Sequence, residues 1–174
     1  MREILFKAKR KDSNEWVEGY YAKLGYGKNI KHFIIQNVFL QEDISYFEDI
    51  EINPNTLSQY TGLNDNTKWD ELTELEKELF LSNWNYQEDR KNKVEDWKGK
   101  KIWENDIISI YSYSYYEPED DYFGVVKYCE KDACWVLKNN ERFNEIICEC
   151  FGSYTTQMIN HGNIFDSADL MEVE

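Results

Sequence analysis

The chain has 174 residues and a formal net charge of −14, about the size of one ordinary domain and enough to bury a core without disulfides or metal. That charge repels phosphates, so direct binding of DNA or RNA is disfavoured. It either keeps the protein soluble or draws it to a basic surface, including that of a protein that itself grips nucleic acid. No apolar run approaches the roughly 20 residues of a membrane-spanning helix, and Met1–Lys7 lacks the apolar stretch of a secretory signal, so a cytosolic protein without a membrane partner is expected.

Aromatic residues make up 16% of the chain and favour half-buried strands. Arg2–Lys9 and Trp16–Tyr21 flank the polar stretch Arg10–Glu15 and predict a β-hairpin. Strands follow at His32–Leu40, beyond Gly25 and Gly27, and at Ile44–Ile52. Pro54 interrupts regular structure, and Asn55–Leu63 reads as a compact turn region. From Thr67 the period changes, because Trp69, Leu72, Leu75, Leu79 and Phe80 recur at helical spacing. They predict an amphipathic helix that Thr67 caps, with Asp70 in its first turn, ending near Trp84 or Asn85. Gln87–Lys98 reads as a weaker helix or a loop. Strand signals return at Lys101–Trp103, Ile107–Tyr111, Phe123–Tyr128, Ala133–Leu137 and Ile146–Cys148, with Ser112–Asp121 as a long exposed hairpin tip. Short strands at near-regular spacing predict a mainly β fold, a small barrel or two packed sheets built as a meander of antiparallel strands, with an α-helical segment at about 67–98.

Gln59-Tyr60-Thr61-Gly62-Leu63-Asn64-Asp65, followed by Gly99–Ile108 with Glu104 and Asp106, resembles the YopX family of phage and prophage proteins. The opening Met1–Phe6 and the closing His161-Gly162-Asn163-Ile164-Phe165, with Leu170 and Met171 beyond, fit the same pattern in the same order. The resemblance implies an SH3-like barrel core, a phage or prophage origin and self-association, with the motif residues in structural roles. It makes residues 1–174 one YopX-like domain, and residues 66–98 a helical insertion between motifs that the family joins by a short turn. Asn105 stands where the family has glycine, which Asn tolerates through its access to left-handed backbone. His161 stands where an aliphatic residue is usual.

Chemical readings find little support. Glu104 and Asp106 would share one face of a strand and so fit a general-acid or metal-assisted pair, but within the resemblance they fix backbone geometry. His32 and His161 lie in no nucleophile signature, and no glycine-rich phosphate cradle follows a strand. Cys129 and Cys134 enclose four residues while Cys148 and Cys150 enclose one, which argues against structural zinc; free thiols are expected, and neither metal nor cofactor.

Binding fits better. Asp70, Glu71, Glu74 and Glu78 form the acidic face of the predicted helix. The Trp69 stripe either packs on its own barrel or is covered by another chain. Tyr111, Tyr113, Tyr115 and Tyr116, with Glu119, Asp120 and Asp121, are either a core face with an acidic tip or a contact surface. The leading expectation is a non-enzymatic phage or prophage protein that binds a host protein through acidic residues, with inhibition of a basic, nucleic-acid-binding defence component as its most concrete form. A nucleotide stacked on tyrosine and sequestered from signalling is the alternative; a hydrolase using Glu104 and Asp106 is the weaker one. The apolar stripe also predicts a closed homo-oligomer.

Overall fold

The computed structural model describes residues 4–41, 44–82, 94–113, 120–138, 144–146 and 155–171. The described residues are mainly β, in two antiparallel sheets, with a short α-helix. The chain forms two compact units, one of residues 1–60 and 68–97, the other of residues 61–67 and 98–174.

In the first unit, β1 (Phe6–Lys9) and β2 (Trp16–Leu24) pair as the expected hairpin, Ala8 opposite Val17. Asn14 lets the intervening turn close by taking φ 63, a conformation open to Asn at modest cost. The second half of β2 pairs with β3 (Lys31–Gln41), which pairs with β4 (Ile44–Glu51). Alternate residues of these strands face inward, so Ala8, Ile34 and Ile52 form a core with Phe6, Val17, Tyr21 and Leu57 around it.

The sheet then returns to its beginning. Arg10 bridges Ile52, the Lys11 amide donates to Glu51 O at 3.0 Å, and the Asn53 amide donates to Lys9 O at 2.9 Å. The Lys11 side chain reinforces this seam by meeting Glu51 at 2.5 Å; Glu51 also receives Lys31 at 2.8 Å, and Arg10 holds Asp12 at 3.0 Å within the β1–β2 turn. These strands therefore close in the manner of a small barrel. Gly19 sits where β2 changes partner, since β1 pairs with residues up to it and β3 with residues after it.

After a 3-10 turn at Pro54–Thr56, β5 (Ser58–Asn64) runs through a region expected to be only a turn. Its first half pairs with β1 and its second half with β6 (Lys101–Trp103), so long-range ladder bonds set its conformation. In the second unit, β7 (Asp106–Tyr113) and β8 (Asp120–Cys129) form a hairpin extended by β9 (Cys134–Lys138) and β10 (Asn144–Ile146). On its other side β7 pairs with β11 (Thr155–Asn163). The inward residues Ile102, Ile108, Ile110, Val126, Trp135, Leu137 and Met158 form the core, with Leu63 and Tyr122 packed against it. The expected tip at Ser112–Asp121 is shorter, because Ser112 pairs with Asp120 and Tyr111 with Asp121; its middle, residues 114–119, lies outside the described residues.

Two outcomes test the packing of β2 on β3 and the β1–β2 turn. A Cβ on Gly19 would stand 2.4 Å from Ile35 O and 2.9 Å from Ile34 Cγ2, so Gly19→Ala is expected to cost about 1–3 kcal/mol in urea unfolding. The Arg10 hydrogen bond pulls the Asp12 carboxyl from its ordinary 3.8 to about 2, and bonds from Lys11 and Lys31 hold Glu51 below its ordinary 4.5. Such lowered carboxyls add stability that is complete above their unfolded values and is lost as pH falls through the folded ones. An NMR titration should find the Asp12 midpoint near 2 in the native chain and back toward 3.8 in Arg10→Ala.

Candidate functional site

The segment from Asn66 to Lys98 is closed at its base by one carboxylate. Asp65, 4% exposed, accepts from the Thr67 amide at 3.0 Å and the Lys100 amide at 2.7 Å through Oδ1, and from the Thr67 hydroxyl at 2.8 Å through Oδ2. Its own amide donates to Lys100 O at 2.9 Å. Asn66 adds a bond from its amide to Met158 O at 3.0 Å and accepts the Met158 amide through Oδ1. Gly99, at φ 98, makes the approach possible, since a Cβ there would lie 1.9 Å from Asp65 O.

Within the segment, the expected single helix from Thr67 is replaced by two pieces. Trp69–Glu71 is a 3-10 turn in which Glu71 accepts the Lys68 amide at 2.8 Å, and α1 spans Glu74–Ser82. The Thr67 hydroxyl is spent on Asp65, so Thr73 starts the helix: its hydroxyl accepts the Glu76 amide at 3.3 Å while Glu76 accepts the Thr73 amide at 2.8 Å, a capping box. This later start rotates the apolar stripe. Leu72 is buried, but Leu75 is 66% exposed, and the side chain of Leu79 lies outside the described residues.

Trp69 packs edge-on against Phe80 at 5.5 Å and Trp97 at 5.8 Å, and those two meet at 5.0 Å. These three rings thus turn toward one another. The segment's expected acidic residues remain outside: Asp70, Glu71, Glu74 and Glu78 are all exposed. Among the described residues, Glu74 pairs with Lys77 at 2.8 Å. The result is an exposed leucine on a short, capped helix that also exposes Glu74 and Glu78.

The other expected residues hold backbone in place. Gln59 lies opposite Phe6, and the Tyr60 amide donates to Leu5 O at 2.9 Å. The Thr61 hydroxyl donates to Ile102 O at 2.7 Å and accepts the Leu63 amide at 3.1 Å, across Gly62 at φ 87. Glu104 and Asp106 do not share a strand face: Glu104 lies in the turn between β6 and β7, and Asp106 is buried, accepting the Trp103 amide at 2.9 Å and Asn160 Nδ2 at 2.8 Å. Between them Asn105 takes φ 70, the left-handed conformation expected where the family has glycine. Gly162 at φ 119 follows a break in the β11 register, and Asn163 accepts the Phe165 amide at 2.9 Å to turn the chain after β11.

Sequence reasoning missed the pairing of Ser109 Oγ with His161 Nε2 at 2.8 Å, which follows from the β7–β11 register. Ser109 is buried and His161 lies tilted against Phe123 at 5.8 Å, so the bond ties two strands. Tyr113 lies opposite Thr155 at the end of β7, and Asp120 and Asp121 begin β8, while Tyr115, Tyr116 and Glu119 lie outside the described residues. Among the described residues, no three His, Cys, Asp or Glu side chains are grouped to hold a metal ion, and no helix is long and apolar enough to cross a membrane.

The family model described as YopX protein matches residues 70–172, more than half of the chain, and the chain belongs to that family. The match contains Gly99–Ile108 and His161–Phe165 and begins after Gln59–Asp65. No curated protein and no solved structure matches the chain.

The base of the segment is tested by Gly99→Ala. Left-handed backbone alone costs a non-glycine residue about 1–2 kcal/mol, and overlap with Asp65 O adds to it. Urea unfolding should show a loss at least that large. An unchanged midpoint would mean that the close approach of Gly99 to Asp65 does not hold in solution.

Proposed function

We propose that this YopX-family chain is a non-enzymatic binding protein of phage or prophage origin that docks on a basic surface of a host protein through the acidic face of residues 68–82. The observation that carries this reading is Leu75, 66% exposed on α1, in a segment where Asp70, Glu71, Glu74 and Glu78 are exposed as well. An apolar side chain inside a charged rim is the usual anatomy of an interface anchor. The carboxylates supply the long-range attraction that speeds encounter with a cationic partner. Counter-defence, by covering the nucleic-acid groove of a host nuclease complex, is the most concrete form of this function. Self-association through the same face, and residence in the host cytoplasm, belong to the same reading.

Affinity capture from host lysate, run at low and high salt with the native chain and with Leu75→Asp, tests it. A single basic partner is expected at low salt, retained at least tenfold less by Leu75→Asp and depleted at high salt. No specific partner, or capture indifferent to both changes, contradicts the reading. Light scattering of the same two proteins separates a host partner from a second copy, since assembly through this face would also be lost in Leu75→Asp. If the melting temperature of the native chain rises with a linear or cyclic nucleotide and lysate capture fails, the nucleotide alternative replaces this one.

A further inference from the structure

The β8–β9 hairpin sets Cys129 directly opposite Cys134, with Glu130–Ala133 as the connection. Neither cysteine is in a disulfide, and both are half-buried. Opposed residues of an antiparallel pair share a face and hold their Cα atoms about 4.5 or 5.5 Å apart, depending on the type of pair. Both separations fall within the roughly 4.4–6.8 Å that disulfides span. The hairpin is anchored below the pair, where Trp135, Val136 and Leu137 are buried and Tyr128 packs on Trp135 at 5.1 Å. The two sulfurs therefore cannot drift apart without disrupting the core. On the turn, the Cys129 thiol donates to Asp132 Oδ2 at 3.2 Å, which orients its side chain.

We propose that Cys129 and Cys134 are a thiol–disulfide exchange site for a small-molecule disulfide such as oxidised glutathione. In the first step the Cys129 thiol gives up its proton, and its sulfur attacks one sulfur of the disulfide. A mixed disulfide forms and one glutathione leaves as a thiolate that takes up a proton. In the second step the Cys134 sulfur, having lost its proton, attacks the Cys129 sulfur of the mixed disulfide and releases the second glutathione. The balance is two protein thiols oxidised to one disulfide and one glutathione disulfide reduced to two thiols. The connection is short, so the bond removes little chain entropy from the unfolded state. Disulfides with little to stabilise them are the labile ones, readily reversed by ordinary thiols. The site is thus suited to reversible modification: oxidation pins the end of the hairpin, and reduced glutathione frees it.

The test uses the full native chain incubated with oxidised glutathione, blocked with maleimide, digested with trypsin and analysed by mass spectrometry. Cleavage after Lys127, Lys131 and Lys138 places Cys129 in Tyr128–Lys131 and Cys134 in Asp132–Lys138. A disulfide joining these two peptides is expected, absent after treatment with reduced glutathione. In Cys134→Ser the reaction should stop with one glutathione on Cys129. The proposal is overturned if both peptides carry maleimide after oxidation, if each carries its own glutathione, or if either is joined to Cys148 or Cys150. Repeating the oxidation with Cys148→Ser and Cys150→Ser together should still give the joined pair; its loss would also overturn the proposal.

Discussion

The buried carboxylate of Asp65 is the interaction on which the rest of the second unit depends. It accepts both Thr67 and Lys100 amides, so the chain leaves this unit and returns to it at one point. A carboxylate with three donors is strongly held, because bonds to a charged acceptor are about twice as strong as neutral ones. Removing it would leave the amide donors of Thr67 and Lys100 unsatisfied in a confined place. Residues 68–97 are the excursion between these two residues, and β6 begins at Lys101.

That constraint bears on function through the division of labour inside the excursion. Trp69, Phe80 and Trp97 form its aromatic cluster, so the large rings supply cohesion. The carboxylates and Leu75 are left facing solvent, on a helix whose first turn is organised by Thr73 and Glu76. A preorganised face binds at lower entropic cost than one ordered on contact. The motif residues in and around β5, β6, β7 and β11 serve a different end, holding turns and ladder bonds in place. Asp106 shows this most clearly, since its buried carboxylate closes a turn and fixes Asn160.

Much of the fold was legible in the sequence, and the failures have definite causes. The β1–β2 hairpin and strands β3, β4 and β7 to β9 follow from aromatic and β-branched residues bounded by polar turns. Strands β5 and β11 do not show, because Ser58–Asn64 and Thr155–Asn163 carry little apolar alternation and are held by ladders to residues far away in the chain. The helix was read one turn or more too early, since Thr67 and Thr73 both have capping chemistry. Only the fold shows that Asp65 takes the first. The signal for the second was present as Thr73 followed by Glu76 three residues on. The helical period counted from Trp69 puts Leu75 on the apolar stripe with either its own barrel or another chain to cover it, and in the fold it stands exposed. The cysteines were legible only as spacing, whereas their pairing is a property of strand register.

Hydrogen exchange at single-residue resolution tests the Asp65 closure most directly. The amides of Thr67 and Lys100 should exchange as slowly as ladder amides in β7, because each is held by a carboxylate that is almost fully buried. Exchange of both at free-chain rates, while β7 stays protected, would contradict the account.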